Sequence, residues 1–145
     1  PLPKGHAHGI AVHYSFYSYV ASVVEVSMVD NKVKVHNVHS VIDCGTAVNR
    51  DTIKSQMEGA AIFGMSIAYY GKITAKDGAI EQNSYSDYRM IRMNEIPKVH
   101  VEIVESSEKP TGVGEPGVPV IAPAIINAIT GKRYYNLPLS DYDLV

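Results

Sequence analysis

Glu115 is the residue whose neighbours best equip it for chemistry. It stands between Gly114 and Pro116, with Gly112 and Gly117 just outside, at the head of the run GVGEPGVPVIAPAIINAI. Glycine lets a backbone turn and come close to another group, and proline stiffens the residues after it. A carboxylate on such a turn can be aimed, as a general base must be. The competing reading is a surface turn with a solvated glutamate. The same run can offer backbone amides to an oxyanion or to cofactor oxygens, with the positive end of the next helix turned toward them. It has neither a Walker lysine nor the Rossmann glycine spacing.

Gln56-Met57-Glu58-Gly59 is a second candidate. It falls inside a helical pattern, where glycine costs on the order of 1 kcal/mol relative to alanine. Close approach of a ligand or another segment would offset that cost, and so would plain helix packing. The histidines are weaker candidates. His6 and His8 are two apart, with His13 beyond, and His36 and His39 lie three apart on a strand, where they point to opposite faces. This is not a recognised zinc spacing, and no metal site is assigned. Cys44, in VIDCGTAVN, lies between a strand and a helix. A helix N-terminus can activate a thiol, but a lone cysteine after an apolar strand is more often a small buried side chain.

The chain has 145 residues, 46% of them hydrophobic, enough for one core. Its net charge is -2, from 13 basic and 15 acidic residues, which gives no electrostatic case for nucleic acid. No apolar run reaches the length of a membrane span. The opening PLPKGHAHG has no initiator Met and no signal peptide, and such a start suggests a piece of a longer polypeptide. One cysteine leaves the redox compartment open, and periplasm and cytoplasm both remain candidates.

Alternation over residues 9–29 places Val24, Val26 and Met28 on one face of a strand. Asp30–Asn31 suits a hairpin turn, and Lys32 to Val41 reads as the next strand, with Val33 and Val35 opposite Lys34 and His36. Asn49 can cap a helix with Asp51 in its first turn. Ile53, Met57, Ala60, Ala61, Gly64, Ile67 and Ala68 recur at helical spacing, and Gly71 suits the stop. A second hairpin turns at Asp77–Gly78 between Ile73–Ala75 and Ala79–Glu81. Lys98 to Val104 is a further strand, and Ser106 to Pro119 an ordered loop. A short helix starts near Pro123 and ends near Gly131, and the tail RYYNLPLSDYDLV reads as an extended strand or surface wrap. The fold class is α+β: one domain over residues 1–145, with antiparallel strands and hairpins packed on two principal helices.

In order, VIDCGTAVNRDTIKSQMEGAAIFGMSIAYYG, DYRMIRMNEIPKVHVEIVES, GVGEPGVPVIAPAIINAI and TGKRYYNLPL closely resemble the C-terminal molybdopterin-binding part of the xanthine dehydrogenase/aldehyde oxidase family. The likeness is nearest to the large (beta) subunit of the isoquinoline 1-oxidoreductase type, and it runs from about Gly9 to Leu139. QMEGA and GVGEPGVPVIAPA, in this order and about this far apart, are its specific motifs. The resemblance implies a molybdenum–molybdopterin cofactor, in bacteria often the cytosine dinucleotide form, and hydroxylation of an N-heterocycle or aldehyde carbon with water as oxygen source. It matches Glu115 to the catalytic base, Gly112 and Gly114 to the turn beside the metal, and Gln56 to a glutamine that contacts the cofactor. It implies an N-terminal half of the same subunit, an iron–sulfur subunit or domain, and a small-molecule substrate as partners. This chain alone is then expected neither to hold the cofactor tightly nor to turn over. His6 and His8 stand where relatives often carry arginine, and the stretch from Asn127–Ala128–Ile129 to Thr130–Gly131–Lys132–Arg133 is shorter than usual. The rival expectation is a non-catalytic assembly domain that docks through its small-residue helix and its Gly/Pro loop.

Overall fold

The computed structural model describes residues 1–129 and 134–145. Three long strands open the chain: β1 (His6–Ser15), β2 (Ser18–Val29) and β3 (Lys32–Asp43). They form an antiparallel meander with β2 in the centre. Asp30 and Asn31 both take positive φ, so the expected turn is present. The expected single stretch over 9–29 is instead two strands, split at Phe16–Tyr17, where both residues have positive φ. Bulky aromatics carry no turn signature, which is why alternation alone runs through this corner.

α1 (Arg50–Tyr70) starts as its sequence dictates: the Asn49 side chain accepts the Thr52 N–H at 3.0 Å, and Asp51 lies in the first turn. Its buried stripe includes Ile53, Met57, Ala60, Ala61, Gly64 and Ala68. Gly71 caps it with negative φ, and a β-carbon there would lie 2.8 Å from Ile67 Cα. β4 (Ala75–Lys76) and β5 (Ala79–Ile80) form the small hairpin around Asp77–Gly78, shorter than the alternation suggested.

β6 (Lys98–Ile103) then pairs with β3 in parallel, so the main sheet is mixed, in the order β1-β2-β3-β6. A parallel neighbour needs a long crossover, and α1 supplies it. α2 (Ile121–Ala128) begins two residues before Pro123, which therefore occupies the third helical position, still within the first turn where no intrahelical N–H partner is required. α2 ends at Ala128, with Ile129 already extended at φ -74° and ψ 103°, short of the expected stop near Gly131, and the stretch 130–133 lies outside the described residues. The tail is a wrap with a short 3₁₀ turn, Leu139–Tyr142, anchored by buried Leu139 and by the Val33 N–H donating to the Leu144 carbonyl at 2.7 Å.

Both helices pack on one face of the sheet. Val20, Val24, Val38 and Ile42 from the sheet meet Met65, Ile121 and Ile125 from the helices, all fully buried. Each such side chain contributes on the order of 1.5–3 kcal/mol of transfer free energy. Met28, expected on one face with Val24 and Val26, is substantially exposed near the end of β2 while those two are buried. The opposite face leaves Ile10, Val12, Tyr14 and Tyr19 in solvent.

Candidate active site

Residues 112–117 are held at both ends. At the first end, the Gly112 N–H donates to the Phe16 carbonyl at 3.0 Å, and the fully buried Ser18 hydroxyl donates to the Gly112 carbonyl at 2.6 Å. Ser18 Oγ also meets Thr111 Oγ1 at 2.7 Å. A β-carbon on Gly112 would lie 2.5 Å from Phe16 Cβ, so only glycine fits against the hairpin corner. At the second end, a β-carbon on Gly117 would lie 2.8 Å from Ala60 Cβ and 3.0 Å from the Met57 sulfur. Pro116 is buried, and the Glu115 carbonyl accepts the Val118 N–H at 3.0 Å. The Ile121 N–H then bonds the Val118 carbonyl, and Gly64 admits Ile121, so the turn leads directly into α2 seated on α1.

The middle of the run is different. Gly114 and Glu115 are exposed, and a β-carbon on Gly114 would touch nothing within 4 Å. The Glu115 carboxylate, and the N–H groups of Gly114 and Glu115, have no hydrogen-bond or ionic partner among the described residues. Gln56 is also exposed, its side-chain amide without a partner among the described residues, next to the Met57 on which Gly117 rests. Gly59, one turn further along α1, is exposed with open space where a side chain would go. The fold therefore brings the Gly-Glu-Pro turn onto the QMEG segment, and Gly59 owes nothing to packing among the described residues.

The weaker candidates resolve into structure. Cys44 is buried, and burial first, then the Asp43 charge, pushes its thiol up, away from nucleophile behaviour. Among the described residues no group of three or more His, Cys, Asp or Glu can hold a metal ion. His6 instead bonds Glu25 through Nδ1 at 2.6 Å and stacks on His36 at 4.3 Å, while His39 stacks on His100. Asn37 donates to Glu25 at 2.6 Å, and this bond, then the one from His6, holds the Glu25 carboxyl below its ordinary range despite burial. Tyr70, with its hydroxyl on Glu95 at 2.7 Å and Arg89 over its ring, is pushed up to about 12 by burial and then by Glu95. A cavity of about 280 Å³ beside this group is lined by Lys32, Lys34, Tyr69 and Asn94, and it does not reach the turn.

Phe16, Ser18 and Thr111 are not readable from the sequence as parts of this site. Their contacts span more than ninety residues of sequence. The one available signal is a hydroxyl at an inward position of an apolar strand.

Residues 2–97 match the family model described as a molybdopterin cofactor-binding domain. That span includes Gln56 and stops before the turn. The chain is 37% identical over 142 residues to the isoquinoline 1-oxidoreductase subunit beta of Brevundimonas diminuta, covering 93% of this chain and 18% of that protein. It is 31% identical over 153 residues to the membrane-bound aldehyde dehydrogenase [pyrroloquinoline-quinone] of Gluconacetobacter polyoxogenes, covering 99% and 20%. The chain thus spans only about a fifth of the length of these curated relatives. In fold it is similar to the crystal structure of the aldehyde oxidoreductase from Desulfovibrio desulfuricans ATCC 27774, with a TM-score of 0.70 at 24% identity over 83% of this chain and 14% of that one.

Proposed function

The chain belongs to the molybdopterin cofactor-binding domain family of the xanthine dehydrogenase/aldehyde oxidase enzymes, and on that premise we propose that it is the C-terminal domain of a larger molybdenum hydroxylase subunit, with Glu115 as general base. The observation that carries this reading is the carboxylate of Glu115, without a partner among the described residues, on a turn clamped at both ends. Rigid placement without a local partner is what a base reserved for an incoming group requires.

The residues present fit such a cofactor. Among the described residues, Gly59 and Gly114 leave open surface, the Gly114 and Glu115 amides have no acceptor, and the Gln56 side-chain amide has no partner. These groups suit pterin oxygens and nitrogens. When bound, the cofactor supplies Lewis acidity and a two-electron acceptor. Glu115 then takes the proton from a water-derived oxygen as that oxygen attacks an electron-poor carbon. Gln56 and Gly114 contact the cofactor, and Gly112 fixes the turn beside it. In net terms the substrate C–H becomes C–OH, water supplies the oxygen, and two electrons and two protons leave, the electrons passing to an iron–sulfur subunit or domain. The substrate is an N-heterocycle or an aldehyde, and the N-terminal half of the same subunit completes its pocket. The cytosine dinucleotide form of the pterin belongs to the same proposal.

Assembly is the second reading, favoured by the exposed apolar strip Ile10, Val12, Tyr14 and Tyr19. Metal and pterin analysis of the intact subunit, purified with its iron–sulfur partner, tests the first. Molybdenum and a pterin in proportion to activity are expected. An active preparation without molybdenum, or one whose activity returns with pyrroloquinoline quinone alone, would overturn it.

A further inference from the structure

The family likeness sets Gly112 beside the cofactor, yet every group Gly112 offers is already engaged inside this chain. Its N–H goes to the Phe16 carbonyl, its carbonyl takes the Ser18 hydroxyl, and its missing side chain is replaced by Phe16 Cβ. Phe16 and Tyr17 are bulky residues held at φ 52° and 62°, a conformation that costs free energy and persists only where the surroundings impose it. Ser18 is fully buried, and its hydroxyl is shared between Thr111 and Gly112. We propose that the Phe16–Ser18 corner is the positioning element for Glu115: it grips the run at Gly112, while Met57 and Ala60 seat it at Gly117, so the carboxylate lies between two fixed points.

This proposal rests on Glu115 acting as the base, and it adds residues that no motif marks. Phe16, Ser18 and Thr111 act through the turn and touch no reacting atom. Displacing a general base by about 1 Å can cost on the order of a hundredfold in rate without weakening substrate binding.

The contact at Gly112 supplies its own test. In a Gly112→Ala variant the added methyl meets Phe16 Cβ. In F16G/G112A that carbon is gone, the carbonyl that accepts the residue-112 N–H is kept, and the next atom, the residue-16 oxygen, lies 3.4 Å away, an ordinary contact. Glycine also suits the positive φ of position 16. The experiment measures kcat per molybdenum, KM, and hydrogen exchange of peptides covering residues 108–118, all on the intact enzyme. In the wild-type background Gly112→Ala is expected to lower kcat at least about tenfold, to leave KM within about twofold, and to speed exchange across the turn. In the Phe16→Gly background the same change is expected to alter kcat less than about threefold. Thr111→Val, which keeps shape but loses the hydroxyl, should lower kcat with no KM change, and Thr111→Ser should restore it. An equal effect of Gly112→Ala in both backgrounds, on activity, loading or exchange, would overturn the proposal. Glu115→Gln runs in parallel: full activity there removes the base assignment, while the exchange data still decide whether the corner holds the turn.

Discussion

Gly112 and Gly117 at the ends of the turn contrast with Gly114 in its middle and Gly59 on the adjoining helix. At the ends, a β-carbon would collide with Phe16, Ala60 or Met57, so the glycines are explained by packing inside the chain. At Gly114 and Gly59 there is no positive φ and, among the described residues, open space, so packing of those residues gives no reason for glycine. The two glutamates divide in the same way. Glu25 is bonded by Asn37 and His6 across the sheet, whereas Glu115 has no partner among the described residues. Crowded glycines and a paired carboxylate serve the fold. On the proposed reading, the open glycines and the carboxylate without a partner among the described residues are where the cofactor and the other half of the subunit are received.

The largest expected effect is at Glu115. Glu115→Gln in the intact enzyme should lower turnover by about 10²- to 10⁴-fold, with molybdenum content and Tm unchanged. A drop in Tm instead would place Glu115 with Glu25. Next is Gly117→Ala, where overpacking against Ala60 and Met57 should cost about 1–3 kcal/mol in denaturant unfolding of this chain. A neutral result would break the distinction between the two kinds of glycine. Gly59→Ala should go the other way and stabilise the chain by about 0.5–1 kcal/mol through helix propensity, while lowering cofactor loading in the intact subunit. The smallest effect is pH-dependent. The Glu25 carboxyl lies below its unfolded range, so its stabilising contribution is present above about pH 4.3 and is lost as pH falls through the folded value. In Glu25→Ala the stability gap from wild type should therefore be widest near neutrality and narrow toward pH 3, followed by urea unfolding across that range.

Sequence signals match the structure where the chemistry is local. Asn49 caps α1, Asp30–Asn31 and Asp77–Gly78 turn, and the Ile53–Ala68 stripe is buried apart from half-buried Ile67. Long-range pairings are not legible in the same way. Nothing in Lys98–Ile103 says that it lies parallel to β3, because that depends on a crossover of more than fifty residues. Phe16–Tyr17 is a turn without turn residues, closed by the Ser15–Ser18 pairing, and its Phe16 carbonyl accepts the N–H of Gly112, more than ninety residues further along. Glu115 is visible because glycine and proline around a carboxylate are local. The corner that grips its turn is formed only by folding.

The most direct measurement is the single-turnover rate at which substrate reduces the metal centre in molybdenum-replete Glu115→Gln, compared with wild type. If Glu115 is the base, that rate falls at least about a hundredfold while the substrate dependence of the reaction is kept. A rate equal to wild type at full molybdenum content would contradict the account.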